Sequence, residues 1–398
     1  MSKALDLAKK YESEIVQFMS NLIRAKSYSA DESAVIEVIK KEMEKVGFDE
    51  IKTDGLGNII GKIGNGKKII AIDGHIDTVE VGNENLWDRE PFSGENDAEY
   101  VYGRGASDQK AGICSAVYGM KILKELNLMD DFTVYVTGTV MEEDCDGMCW
   151  RYLIEKEKLK PDFVVITEPT SLNIYRGHRG RIELRIKTTG ISAHASAPER
   201  GENAIYKMAK VINEIEKLNE ELKPHPFLGK GTVVVSQIFF KSPSQNAVPD
   251  ECQIQLDRRI TPYDTKESIF KELNTAIKRS GVKAEIIELE YSRPSYKGIK
   301  YPVEKFFPAW EIDESSPIIQ AGIKTYIKTF EEDPVVDKWT FSTNGTVTAG
   351  VYNIPTIGFG PGEEKYAHAP NEKVEIEHLV KAAAFYANFP KTLINMIP

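Results

Sequence analysis

At 398 residues the chain is too long for one ordinary domain, which implies two or three. Acidic side chains number 61 against 51 basic ones, so the broad cationic footprint that nucleic acid requires is missing and small, charged molecules are the expected ligands. The chain is 41% hydrophobic and 28% charged, and without any run near the ~20 apolar residues of a membrane helix, membrane partners are also excluded.

The opening MSKALDLAKKYESEIVQFM spaces its apolar residues for a helix and has no continuous apolar core. It therefore does not read as a secretory signal, and a cytoplasmic location is expected. Cys114, Cys145, Cys149 and Cys252 lack paired C-x-x-C spacing, which argues for reduced thiols rather than disulfides or a zinc knuckle. Two amphipathic helices are predicted first, the second running through SADESAVIEVIKKEMEKVG and closing at Gly47. The segments NIIGKI, KKIIAIDGHID, FTVYVTGTVM and DFVVITE are short and nearly all apolar, as strands covered on both faces should be. GKIGNGKK is not a phosphate loop, because Lys68 stands where Ser or Thr is required and a strand follows instead of a helix. Its Asn65-Gly66 pair predicts a type I′ hairpin turn.

With helices between strands, notably QKAGICSAVYGMKILKELN, the first part reads as an α/β domain with a mainly parallel sheet. From about residue 177 the texture changes. RIELRIKTTG, TVVVSQIFF and ECQIQLDRRI alternate apolar and polar residues, with helices predicted at 202–222 and in TKESIFKELNTAIKRSG. Alternation means one wet and one buried face, so residues 177–293 are expected to form an inserted two-layer α/β domain. Residues 1–176 and 294–398 then make the first domain, which ends on the helix HLVKAAAFYANFPKTLINMI.

The informative residues lie where the apolar strands stop, the place where ligands gather in such sheets. His75 and Asp77 close one strand and share a face, so Asp77 can select the imidazole tautomer. Asp108 sits in the glycine-rich turn GRGASDQKAG ahead of a helix. Glu142 and Glu143 follow another strand, Glu168 a further one, and His368 lies in YAHAPNE after the loop GFGPG. Each alone has a plain reading as a hydrogen-bonded pair, a cap, a turn or a surface histidine. Together they place nitrogen and oxygen donors at the ends of strands of one sheet, a set suited to zinc, cobalt or manganese. A carboxylate bridging two such ions would make a two-metal hydrolytic site. EEDCDG is not a calcium loop, because its twelfth position is Leu153 instead of glutamate. No G-x-S-x-G elbow supports a serine hydrolase.

The ordered set GHIDTV, YGRGASDQKAG, MEED, TEP, SAHASAPERGENAI and AHAPNE, covering nearly the whole chain, resembles the M20 family of metallopeptidases and amidohydrolases. That family includes acetylornithine deacetylase, succinyl-diaminopimelate desuccinylase and glutamate carboxypeptidase. FSTNG and GFGPGEEKYAHAPNE are most similar to its members linked to selenium metabolism. The resemblance implies two divalent ions, zinc first and cobalt or manganese next. His75 and Glu168 would hold one ion and Glu143 and His368 the other, with Asp108 bridging. Asp77 would orient His75, and Glu142 would be the general base, passing a proton from the attacking water to the leaving nitrogen. It further implies that the insert is a lid that also dimerises, with His194 reaching the partner's active site and Asn246 and Arg258 contacting substrate. Arg179 at the lid hinge and Gly345 in a substrate loop are further carry-overs. Glutamate at position 168 goes in that family with deacylases and carboxypeptidases. The expected function is thus hydrolysis of an amide bond in a small carboxylate-bearing substrate, an N-acyl amino acid or short peptide. A dipeptidase or a ureido or carbamoyl hydrolase would share the metal site. A non-catalytic dimer that binds metal or metabolite is the reading from another class, and the intact Glu142 argues against it.

Overall fold

The first predicted helix breaks at Tyr11 into Lys3–Lys10 and Glu12–Arg24, and Ser33–Val46 follows, in a computed structural model that describes residues 2–397. Three helices therefore stand where the periodicity predicts two. Val35, Ile36, Ile39 and Met43 of Ser33–Val46 are buried at helical spacing. Gly47 ends that helix at φ 87°, a left-handed position that costs a side-chain-bearing residue energy.

Two compact units share the chain: Met1–Gly177, Arg293–Tyr301 and Glu311–Pro398 form one, His178–Ser292 and Pro302–Trp310 the other. The sheet of the first unit runs, in spatial order, through Glu50–Thr53, Ile59–Ile63, Phe132–Thr139, Lys68–His75, Phe163–Ile166, Thr356–Gly358 and Ile174–His178. Its centre is parallel: Lys68–His75 pairs in parallel with both Phe132–Thr139 and Phe163–Ile166, and Thr356–Gly358 does so with Phe163–Ile166. These strands are almost wholly buried, which explains their unbroken apolar character. Helices Ala111–Glu125 and Ile376–Ile394 pack on the sheet and on each other, both mostly buried.

The hairpin predicted at Asn65-Gly66 is a correction. Ile59–Ile63 and Lys68–His75 are not neighbours, because Phe132–Thr139 lies between them and pairs with both. Gly66 is required for close approach rather than for a turn: a Cβ there would sit 2.0 Å from the nitrogen of Phe132. A dipeptide reports local conformation only, and the strand that separates its two neighbours comes from far along the chain.

The second unit is an antiparallel sheet in the order Thr232–Lys241, Glu251–Ile260, Gly180–Thr189, Glu285–Glu288. Helices Ala204–Glu221 and Lys266–Ser280 cover one face, where Leu184, Ile186, Met208, Ile215, Leu256 and Leu273 form the core. Pro302–Trp310 returns to this unit, pairing Phe306 with Ile182 and Phe307 with Arg181, a return that no period marks in the sequence. Among the described residues, no helix is long and apolar enough to cross a membrane.

Candidate metal centre

Parallel register brings the candidate side chains together. His75 pairs with Thr139, and Asp73 with Ile166, so His75, the turn carrying Glu142 and Glu143, and Glu168 all emerge from one edge. Asp108 arrives from the loop ahead of helix Ala111–Glu125, where the Asp108–Gln109 peptide is cis. His368 arrives from the loop that follows Thr356–Gly358. His75 Nε2 is 3.0 Å from Asp108 Oδ1, 3.5 Å from Glu168 Oε1 and 4.0 Å from Glu142 Oε2. His368 Nε2 is 2.9 Å from Glu143 Oε2 and 3.5 Å from Asp108 Oδ2. Asp108 thus presents one oxygen to each histidine. Two donor sets with ligand atoms within 4.8 Å of one another, His75–Asp108–Glu143 and His75–Glu142–Glu168, meet at His75.

His75 Nδ1 lies 3.0 Å from the backbone carbonyl of Asp77 and 3.5 Å from its Oδ1. With Nδ1–H donated there, Nε2 is the nitrogen that faces the carboxylates, and a metal ion would take the place of the proton it shares with Asp108. His75, Asp77, Asp108, Glu142 and Glu168 are buried, Glu143 is half-buried, and the His368 side chain is 56% exposed. Burial pushes Glu142 and Glu168 well above the usual carboxylate range, neighbouring carboxylates adding to it, and lifts Glu143 to about 7. Burial would pull His75 down, but Glu168 and the hydrogen bond to Asp108 outweigh it and hold the ring well above its ordinary value. Glu142 Oε1, Glu143 Oε1 and Glu168 Oε2 are buried with no hydrogen-bond partner. Four crowded carboxylates, three of them with an orphaned oxygen, are stabilised by cations at their centre, so the residues present fit metal ions.

Residues behind the site escaped the sequence reading. Glu372 is fully buried, and its two oxygens accept from the amides of Gly105, Ser107 and Asp108 and from Arg104 Nη1 at 2.7–2.9 Å. It holds the Asp108 loop, and it stands within the quoted AHAPNE. Asn344 Nδ2 donates to Asp73 Oδ2 and Thr139 Oγ1, while its Oδ1 accepts from the amide of Gly147. Position 344 therefore needs both a donor and an acceptor, which an aspartate facing Asp73 could not supply. Gly345, beside it, is buried at the start of helix Gly345–Thr348.

The profile of peptidase family M20/M25/M40 matches residues 71–392. The chain belongs to that family. It is a metal-dependent hydrolase acting on amide bonds. It is 48% identical to the uncharacterized protein YgeY of Escherichia coli K12 over 97% of this chain and 96% of that one. It is 28% identical to a probable succinyl-diaminopimelate desuccinylase of Staphylococcus aureus N315, over 93% and 95%. Its fold is that of the Bacillus subtilis protein YXEP, described as a dinuclear metal binding peptidase of the M20 family, with TM-score 0.71, 15% identity and coverage of 98% and 100%.

In the second unit of this M20 hydrolase, His194 and Asn246 lie side by side: His194 bridges to Ala247, and the amide of Ala195 donates to the carbonyl of Asn246. Both are exposed. His194 Nδ1 accepts from Ser196 Oγ at 2.7 Å and from the Ser196 amide at 3.2 Å, which leaves its proton on Nε2. Arg179 Nη1 donates to the carbonyl of Lys230. Arg258 faces the other way. It shares the helix-covered face with Cys252, Ile254, Leu256 and Ile260, where its Nη2 is 3.1 Å from Asp264 Oδ1 and 2.5 Å from Glu272 Oε2. The expected substrate contact through Arg258 is therefore corrected. Arg259 is on the open face, held by Asp257 at 2.9 and 3.2 Å and opposite Arg181 in the register. Its position follows from the alternation of ECQIQLDRRI carried to the last residue.

Proposed function

We propose that the protein is a dinuclear-zinc amidohydrolase that removes the acyl group of an N-acyl amino acid or cleaves a short peptide bearing a carboxylate. The observation that carries this reading is Asp108, with one oxygen 3.0 Å from His75 Nε2 and the other 3.5 Å from His368 Nε2, the geometry a bridging carboxylate requires. His75 and Glu168 would hold one ion, Glu143 and His368 the other, and the likeness to a dinuclear metal binding peptidase agrees. Two ions there would supply a water of lowered pKa and polarise the scissile carbonyl. Glu142, buried with one oxygen unpartnered, takes the proton and returns it to the leaving nitrogen. His194, its proton on the exposed Nε2, is the donor that would stabilise the oxyanion from a partner subunit.

The test is amine release from N-acyl amino acids, dipeptides and ureido acids by zinc-, cobalt- and manganese-loaded protein. Turnover of acyl amino acids supports the deacylase reading; turnover confined to dipeptides or ureido acids replaces it with that chemistry. A fully metallated protein that binds acyl amino acids and turns none over is the non-catalytic dimer.

Arg259 is the guanidinium this reading assigns to the substrate carboxylate. Arg259→Ala is expected to raise KM roughly 10- to 100-fold, the loss of one charge-assisted hydrogen bond. Arg258→Met is expected to lower the melting temperature, by stranding Asp264 and Glu272, and to leave KM near wild type. The reverse pattern would return the role to Arg258.

A homodimer through the second unit is supported by its edge strand, Thr232–Lys241, where Val234, Ile238, Phe239 and Phe240 are exposed, Phe240 at 61%. An apolar edge strand is a template for pairing with another copy. Phe240→Glu is expected to sediment as a monomer and to lose turnover with the dimer. A fully active monomer would remove the cross-subunit role of His194.

A further inference from the structure

Three consecutive amides follow the strand Phe132–Thr139, and all three are held by carboxylates. The Glu142 amide donates to Asp77 Oδ1 and the Glu143 amide to Asp77 Oδ2, each at 3.1 Å. The Met141 amide donates at 3.1 Å to Glu32 Oε1, which also accepts from the amide of Ala30 at 2.8 Å. Met141 stands at φ 59°, a left-handed conformation that costs a residue with a side chain about 1–2 kcal/mol and persists only where its surroundings enforce it.

Glu32 is fully buried. It occupies the N-cap position of helix Ser33–Val46, yet its side chain makes no capping bond to that helix. One of its oxygens, Oε1, reaches instead the turn that carries Glu142, while Oε2 is buried without a partner. The segment before it is tied to the strand that carries His75: Ser27 Oγ donates to the carbonyl of Ile76, the Thr78 amide donates to the carbonyl of Ser27, and Ser29 Oγ donates to Asp77 Oδ2 at 2.7 Å.

We propose that Glu32, with Ser29, is a positioning element for the reaction: it pins the left-handed peptide at Met141 while Ser29 fixes Asp77, and together they aim the Glu142 side chain. This rests on the reading of Glu142 as general base, so its test needs one measurement that does not involve turnover. A displacement of about 1 Å at a reacting group costs about 10²-fold in rate.

Glu32→Ala, Glu32→Asp and Ser29→Ala, with Glu32→Gln as the conservative variant, are compared with wild type for kcat, KM and amide hydrogen exchange across Met141–Glu143. Glutamine keeps the oxygen that accepts from Met141, whereas aspartate keeps the carboxyl group and falls short of it. Ala and Asp at position 32 are expected to lower kcat about 10²-fold with KM held, and to speed exchange about tenfold in that turn while distant strands stay protected. Ser29→Ala is expected to do the same more weakly, and Glu32→Gln to keep both properties near wild type. Asp at position 32 is the milder change and carries the test if the Ala variant does not fold. Unchanged exchange in the turn, loosening spread evenly over the fold, or full kcat in Glu32→Asp would overturn the proposal. If wild type turns over no substrate in the panel, the general-base reading fails on that result, and exchange confined to the turn still decides whether Glu32 pins it.

Discussion

Glu142→Gln is expected to lower turnover by about 10²- to 10⁴-fold, the usual contribution of a positioned general acid–base, with both metal ions still bound. Glutamine is nearly isosteric with glutamate but cannot accept the proton. Burial pushes Glu142 well above the usual carboxylate range, with the neighbouring carboxylates adding to it. Its Oε2 is 4.0 Å from His75 Nε2 and its Oε1 has no partner. The measurement is kcat beside metal content per chain. A variant that binds one ion fewer would make Glu142 a ligand, which the donor set His75–Glu142–Glu168 offers as the competing arrangement.

The second large effect is expected at Asp108. Asp108→Asn leaves one oxygen where two are needed and turns an amide NH₂ toward one of the histidines. The site should hold at most one ion, and turnover should fall at least as far as in Glu142→Gln. Cobalt titration followed by its visible absorption counts the ions directly. Chelation followed by zinc should restore wild type and not the variant. Two ions bound with wild-type affinity in Asp108→Asn would mean that the two histidines do not share a bridging carboxylate.

Glu372 explains why this residue is so well placed to bridge. Its carboxylate gathers the amides of Gly105, Ser107 and Asp108, so the loop is held by backbone bonds and the Asp108 side chain is left for the site. In sequence Glu372 is one glutamate near a histidine, and its partners are more than 260 positions away.

The amino-acid sequence by itself determined which residues could end up together. Strands buried on both faces are continuous apolar runs, so polarity returns only at their ends, and that return marks His75, Glu142, Glu143 and Glu168. Alternation likewise marked the inserted sheet and, carried to the end of ECQIQLDRRI, already sets Arg258 in phase with Leu256 and Ile260. Tertiary structure alone decided the rest. Phe132–Thr139 inserts between two strands that look like a hairpin, and Glu32 spends its carboxylate on Met141, 109 positions away. Periodicity and turn chemistry are properties of neighbouring residues, whereas strand order and the partners of a buried carboxylate depend on which distant segment satisfies each hydrogen bond once water is gone.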